Sequence, residues 1–153
     1  MYNLKNGKGS FKGLIGECMF KLTDRYLVIT RFFNRNKYFT VFGKYLTKEQ
    51  AEFIDKNWFS IDAIKISFDG GFKKVCLYEI KTKNKYADPK VFWRTKFTQS
   101  TIDVYNKAIE LGFGVKVATV RLYDNWNYEL EFEDFKNANY CIDKPKQYDL
   151  KAA

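Results

Sequence analysis

Residues 61–83, IDAIKISFDGGFKKVCLYEIKTK, constrain the fold of this chain more tightly than any other stretch. Two runs of β-forming residues flank Asp69-Gly70-Gly71. A Gly-Gly pair between such runs predicts a tight hairpin, because both central residues reach positive φ without steric cost. With Gly70 and Gly71 as the loop, Asp69 faces Phe72. Ile66 then lies opposite Val75, Ile64 opposite Leu77 and Asp62 opposite Glu79. Side chains alternate between faces along a strand, so Lys81 shares the face of Glu79. That face is apolar over most of its length and ends in Asp62, Glu79 and Lys81. A register shifted by two residues keeps this group together and a shift by one splits it, so the grouping depends on the turn type.

Charged groups on the continuation of a core-facing stripe are costly unless paired or bound to a metal. Two readings stand at this point. Lys81 pairs with the two carboxylates at a sheet end open to solvent, or the three groups form a functional site.

The rest of the composition narrows the chemistry. The chain has no histidine, and Cys18, Cys76 and Cys141 are widely spaced without a CxxC pair. A zinc site, a Ser-His-Asp triad and a Cys-His pair are therefore excluded or nearly so. Reduced thiols in a reducing compartment are expected, with Cys18 and Cys76 as core packing. Any catalysis rests on carboxylates, lysines, backbone groups or a hard metal. A formal charge of +9 points to a polyanionic partner, of which nucleic acid is the commonest. Lysine outnumbers arginine, which favours phosphate contacts over bidentate base reading. No apolar run approaches the roughly 20 residues of a membrane span and no signal peptide is visible, so a cytoplasmic protein without a membrane partner is expected. At 153 residues the chain is long enough for one domain around one mixed core.

Along the chain, Ser10 reads as the N-cap of a helix reaching about Leu22. Phe11, Leu14, Ile15, Cys18 and Leu22 form its buried stripe. Gly13 and Gly16 each cost a helix about 1 kcal/mol, which implies close approach of another backbone. Glu17 sits at the margin of the stripe, where a solvated helix residue is the simple reading. Residues 26–33 read as a strand, 34–36 as a turn and 37–42 as a second short strand. Thr47 caps a helix to about Asn57, with Gln50 at the capping-box position and Ala51, Ile54 and Trp58 inward. Beyond the hairpin, Lys83, Lys85, Lys90, Arg94 and Lys96 alternate with Tyr86, Phe92, Trp93 and Phe97. Such interleaving suits a nucleic-acid strand, phosphates on the cations and bases on the rings. A solvated loop whose aromatics cover the core is the other reading. Residues 99–111 form a helix led by Gln99, with Ile102, Tyr105, Ala108 and Ile109 inward and Gly112 as its C-cap. Residues 115–122 read as a strand buried on both faces. Residues 128–135 alternate apolar residues with Glu129, Glu131 and Glu133, a half-exposed strand whose acidic face turns DNA away. The tail is polar, with Tyr140 and Ile142 placed to pack back.

The order is thus helix with Glu17, strand, strand led by Asp62, strand with Glu79-Ile80-Lys81, helix led by Gln99, buried strand. With the phrases GLIGE, IDAI, YEIKTK, TQSTIDVYNKAIELGF and VKVATV, it resembles the PD-(D/E)XK nuclease superfamily, especially small archaeal and viral members and Holliday-junction resolvase-like enzymes. The likeness covers about residues 10–122 of a single nuclease-like domain, leaving 123–153 as a C-terminal strand and tail. Ile61 stands where the family name has a proline, and a strand and the helix after Thr47 are inserted before Asp62.

The resemblance implies an α/β (α+β) fold with a restriction-endonuclease-like core, a central mixed β-sheet flanked by helices. It implies a Mg²⁺- or Mn²⁺-dependent deoxyribonuclease, an endonuclease that in some relatives is structure-specific. Asp62, Glu79 and the carbonyl of Ile80 would hold the metal, and Glu17 would complete the acidic site through a water. Lys81 would orient the attacking water or stabilise developing charge, and Gln99 would position a water or phosphate. Lys83, Lys85, Lys90, Trp93, Arg94 and Lys96 would bind DNA. Many relatives are homodimers, but no dimer surface is readable here. Three functions compete, in this order: a metal-dependent nuclease, an inactive nucleic-acid-binding protein on the same scaffold, and a structural module in which Lys81 merely pairs with Asp62 and Glu79.

Overall fold

The Gly70-Gly71 turn forms as its residue types require, with φ of 56° and 85°. In the computed structural model, which describes residues 7–84, 95–137 and 140–142, it joins β2 (Ala63–Asp69) to β3 (Phe72–Asn84). The pairing runs Asp69 to Phe72, Ile66 to Val75 and Ile64 to Leu77, the register that the turn chemistry predicts. Side chains are described for residues 12–83, 97–125 and 127–136. Phe11, Lys85, Tyr86, Lys90, Phe92, Trp93, Arg94, Lys96, Tyr140, Cys141 and Ile142, named above, have side chains outside that set.

Around the hairpin lies a five-stranded mixed sheet of order β1-β2-β3-β5-β6. Its other members are β1 (Val28–Ile29), β5 (Gly114–Leu122) and β6 (Tyr128–Asp134). Within this sheet β3 and β5 run parallel and the other described pairs antiparallel. Their crossover carries helix α4 (Gln99–Glu110), capped by Thr98 and ended by Gly112 at φ 89°. β5 is an interior strand next to the central β3, with Val115 and Val117 buried on one face and Ala118 and Val120 on the other. A separate pair joins β4 (Thr95–Phe97) in parallel to β7 (Tyr140–Ile142), a strand that the polar tail composition hides.

Helices cover both faces. On one, α4 and helix α3 (Lys48–Lys56) bury Ile102, Tyr105, Ala108, Phe53 and Ile54 against Ile64, Leu77, Val115 and Val117. Each buried Ile, Leu, Val or Phe among them contributes about 2 kcal/mol relative to exposure. The capping box of α3 is complete, Thr47 and Gln50 exchanging both bonds. On the other face, helix α1 (Gly7–Thr23) packs Phe20 against Tyr78, with ring centroids 5.3 Å apart. Cys76 is buried there as a free thiol. No helix among the described residues is long and apolar enough to cross a membrane.

Three local expectations fail, each for a readable reason. First, α1 begins at Gly7, so Ser10 lies within the helix. Its inward face is that of Gly16, Glu17 and Phe20, while Cys18 and Leu22 are exposed. The rotation follows from Gly16: a Cβ there would overlap Thr82 Oγ1 and lie 3.0 Å from Thr82 Cβ, so only glycine lets the helix approach β3 this closely. Second, the strand of residues 26–33 shortens to Val28–Ile29. The Thr30 amide instead donates to the Asp62 carbonyl at 3.1 Å, and its hydroxyl donates to that of Ile61. Third, residues 37–42 are not a strand but part of helix α2 (Arg35–Phe42). Asn34 caps it, accepting from the Lys37 amide at 3.0 Å. Phe33, the residue before the cap, packs its ring on Tyr38 at 6.2 Å, a hydrophobic staple. Cap and staple together outweigh the β-propensity of an aromatic run.

Gly16 and Gly13 make a paired test. Gly16→Ala should lower stability by about 1–3 kcal/mol through overpacking. Gly13→Ala, with nothing within 4 Å of its added Cβ, should raise it by up to about 1 kcal/mol through helix propensity. Urea unfolding midpoints moving in opposite directions would confirm the close approach, and a shared direction would refute it.

Candidate active site

Three carboxylates reach the end of the β2–β3 ribbon from different elements. Asp62 directly precedes β2, Glu79 lies in β3 and Glu17 comes from α1. The β2–β3 pairing begins at Ala63, and the two carbonyls ahead of it, of Ile61 and Asp62, accept from Thr30. The Asp62 side chain takes over where the strand stops, its Oδ2 accepting from the Ile80 amide at 2.8 Å.

Glu79 is buried and has both oxygens engaged. Oε2 accepts from the Tyr105 hydroxyl at 2.7 Å, and Oε1 lies 3.4 Å from Lys81 Nζ. Lys81 Nζ also sits 5.1 Å from the centre of the Phe97 ring, so a buried aromatic supports the ammonium from a second side. Phe97 thereby belongs to the core and not to a base-stacking surface. Glu17 is buried too. Its Oε2 faces Arg31 Nε at 3.5 Å and finds no hydrogen-bond partner among the described residues.

The acids sense one another. Burial, then Glu79 and Glu17, push the Asp62 carboxyl up to about 8, against the Ile80 amide and Lys81. Burial also raises Glu17, with Glu79 adding to the rise and Arg31 opposing it. Tyr105 is held well above its ordinary range, first by burial and then by Glu79 and Asp62, so it stays a hydrogen-bond donor. Mutual repulsion of half-desolvated carboxylates is what a cation or a proton relieves.

The sequence-derived set is therefore only partly assembled. Asp62, Glu79, Lys81 and Glu17 come together. Gln99 leads α4 as expected, but it is exposed and donates its amide to Asp103 Oδ1 at 2.8 Å, away from the acids. Lys83 lies on β3 opposite Arg121, with Glu131 and Glu133 near enough to affect it; burial is the largest cause lowering its proton affinity. Lys85, Lys90, Trp93 and Arg94 lie outside the described residues, as does the side chain of Lys96. Two participants escaped sequence reasoning. Tyr105 reads as core from its helical spacing, although a tyrosine on a buried stripe must find a partner for its hydroxyl. Arg31 hides in the aromatic run TRFF.

A hard divalent cation fits the kind of donors present: oxygen only, crowded, with a buried Glu17 oxygen lacking a hydrogen bond. Among the described residues, however, no group of three or more Asp, Glu or Cys side chains stands at metal-holding distance. The fit is thus to a cation held by two carboxylates and completed by backbone and water. No protein-family model, curated protein or solved structure matches this chain.

Proposed function

We propose that this chain is a metal-dependent nuclease that hydrolyses DNA phosphodiester bonds on a restriction-endonuclease-like core. The observation that carries the reading is the meeting of Glu17, Asp62 and Glu79 beside Lys81 at one end of a β-ribbon, with Asp62 pushed up to about 8. Buried carboxylates destabilise a fold, and their gathering is the mark of a site. The element order, with α4 crossing between parallel β3 and β5, supports the same reading.

Asp62 and Glu79 would hold Mg²⁺ or Mn²⁺, with Glu17 at the rim of the acidic site. Such a cation polarises a phosphate oxygen and acidifies a water. Lys81, steadied by Glu79 and Phe97, orients the attacking water or meets the charge that develops on phosphate oxygens. Tyr105 holds Glu79 Oε2, leaving Oε1 facing Lys81. The test is a panel of labelled single-stranded, duplex and branched DNAs with Mg²⁺ or Mn²⁺. Cleavage of at least one supports the reading, and a panel left whole overturns it.

A second reading, a nucleic-acid-binding protein without turnover, is favoured by Glu79 already having Tyr105 and Lys81 on its two oxygens. It predicts salt-sensitive DNA binding that ignores metal, and Mn²⁺ calorimetry separates the two. Within the nuclease reading, Lys81→Ala should cut turnover by about 10²-fold or more, the scale of losing one preorganised charge stabiliser. Lys83→Ala should leave turnover intact and weaken binding a few-fold. Equal effects on turnover would show that Lys81 has no special place.

A further inference from the structure

A second surface adjoins the acids. A cleft of about 350 Å³ has Glu17, Asp62, Arg31, Arg35 and Phe59 in its lining, with Arg31 paired to Glu17 at 3.5 Å. Both guanidinium side chains are close to half exposed. Arg35 lies 5.9 Å from the centre of the Phe59 ring, and Phe59 is 91% exposed. An aromatic ring this open, within the turn Trp58–Ser60 between buried Trp58 and core Ile61, does nothing for the fold. The wall that carries it is nevertheless fixed. Thr30 bonds the carbonyls of Ile61 and Asp62, tying the segment of Arg31 to the segment of Phe59. Arg35 is held by the capped start of α2.

We propose that this cleft is a subsite for an unpaired nucleotide of a DNA strand. Arg31 and Arg35 take the phosphate, and Phe59 stacks on the base. Cations beside a bare ring match the two halves of a nucleotide, charge to phosphate and π-face to base. Because the ring offers its face and not a row of hydrogen-bonding groups, recognition is independent of base identity. A base can reach Phe59 only when it has left the duplex stack. The substrate class is thus a single strand, flap or frayed end entering beside the acids. The prefixed wall keeps the ordering cost of binding low. This inference rests on the nuclease reading for its meaning, but its binding step does not require cleavage.

The experiment is fluorescence anisotropy of the full chain in EDTA with labelled oligothymidine of about 12 nucleotides and with a blunt duplex. Wild type should prefer the single strand. Phe59→Ala should weaken single-strand binding about tenfold and duplex binding less than twofold, while Phe59→Trp should restore it. Arg35→Ala should weaken single-strand binding and lower the salt slope by about 0.7. Equal losses on both DNAs, no loss in Phe59→Ala, or no single-strand binding by wild type would each overturn the proposal. Phe59-dependent binding with no cleavage under Mg²⁺ or Mn²⁺ would sink the nuclease reading and leave the subsite standing. Cleavage that Phe59→Ala leaves unchanged, with binding also unchanged, would do the reverse.

Discussion

Glu79→Gln is expected to leave DNA bound and uncut, with single-turnover cleavage falling about 10³-fold or more. The substitution keeps the size of the side chain, and its amide oxygen can still accept from Tyr105, which now reaches Oε2 at 2.7 Å. What disappears is the negative charge, and with it both the partner of Lys81 and the ligand proposed for a divalent ion. A purely architectural Glu79 would respond differently: the variant would melt earlier and cut as before. Measuring cleavage, DNA affinity and melting temperature on one preparation separates these outcomes. Wild-type rates in Glu79→Gln would remove the acids from the chemistry.

Asp62→Asn should make the protein more stable at pH 8, by roughly 1–2 kcal/mol or a few degrees in Tm, while abolishing cleavage. The sign follows from linkage. Folding raises the Asp62 carboxyl from an ordinary value near 3.8 to about 8. Between those values the folded chain holds a proton that the unfolded chain has released, so stability falls as pH rises through the window. Asparagine keeps the acceptor for the Ile80 amide and carries no proton to lose. Its advantage should therefore be absent near pH 4, grow through pH 6 and level off above pH 8. If Asp62 were a structural ion-pair partner of Lys81, the variant would instead be less stable at pH 8 than the parent. Thermal melts of both proteins at those pH values distinguish a site that costs the fold stability from a bridge that supports it.

The site was legible where local chemistry decides geometry. Gly70-Gly71 admits few turns, and one turn determines the register from Asp69–Phe72 to Ala63–Tyr78, leaving Asp62 and Glu79 as the next residues beyond the paired stretch. The Thr47–Gln50 box and the Gly112 stop were equally readable, since each is complete within a few residues. What escaped depended on distant partners. The face of α1 was misassigned because Thr82, far along the chain, selects Gly16 as the point of approach. Residues 37–42 are the exception: the cap and staple that make them helix lie within five residues, and the β-propensity of their aromatics masks a local signal. Tyr105 reads as packing because helical spacing reveals burial and is silent on the carboxylate at the other end.

The glutamates of β6 carry one more implication. Glu129, Glu131 and Glu133 line an edge strand of a molecule whose formal charge is +9. β6 itself carries four acids and no cation, an acidic edge on a basic chain. In the field of a polyanion the molecule is turned before contact, with the glutamate edge trailing, and fewer encounters are wasted on the wrong side. Added salt shortens the reach of that torque to about 8 Å at physiological strength, so orientation is lost before attraction is.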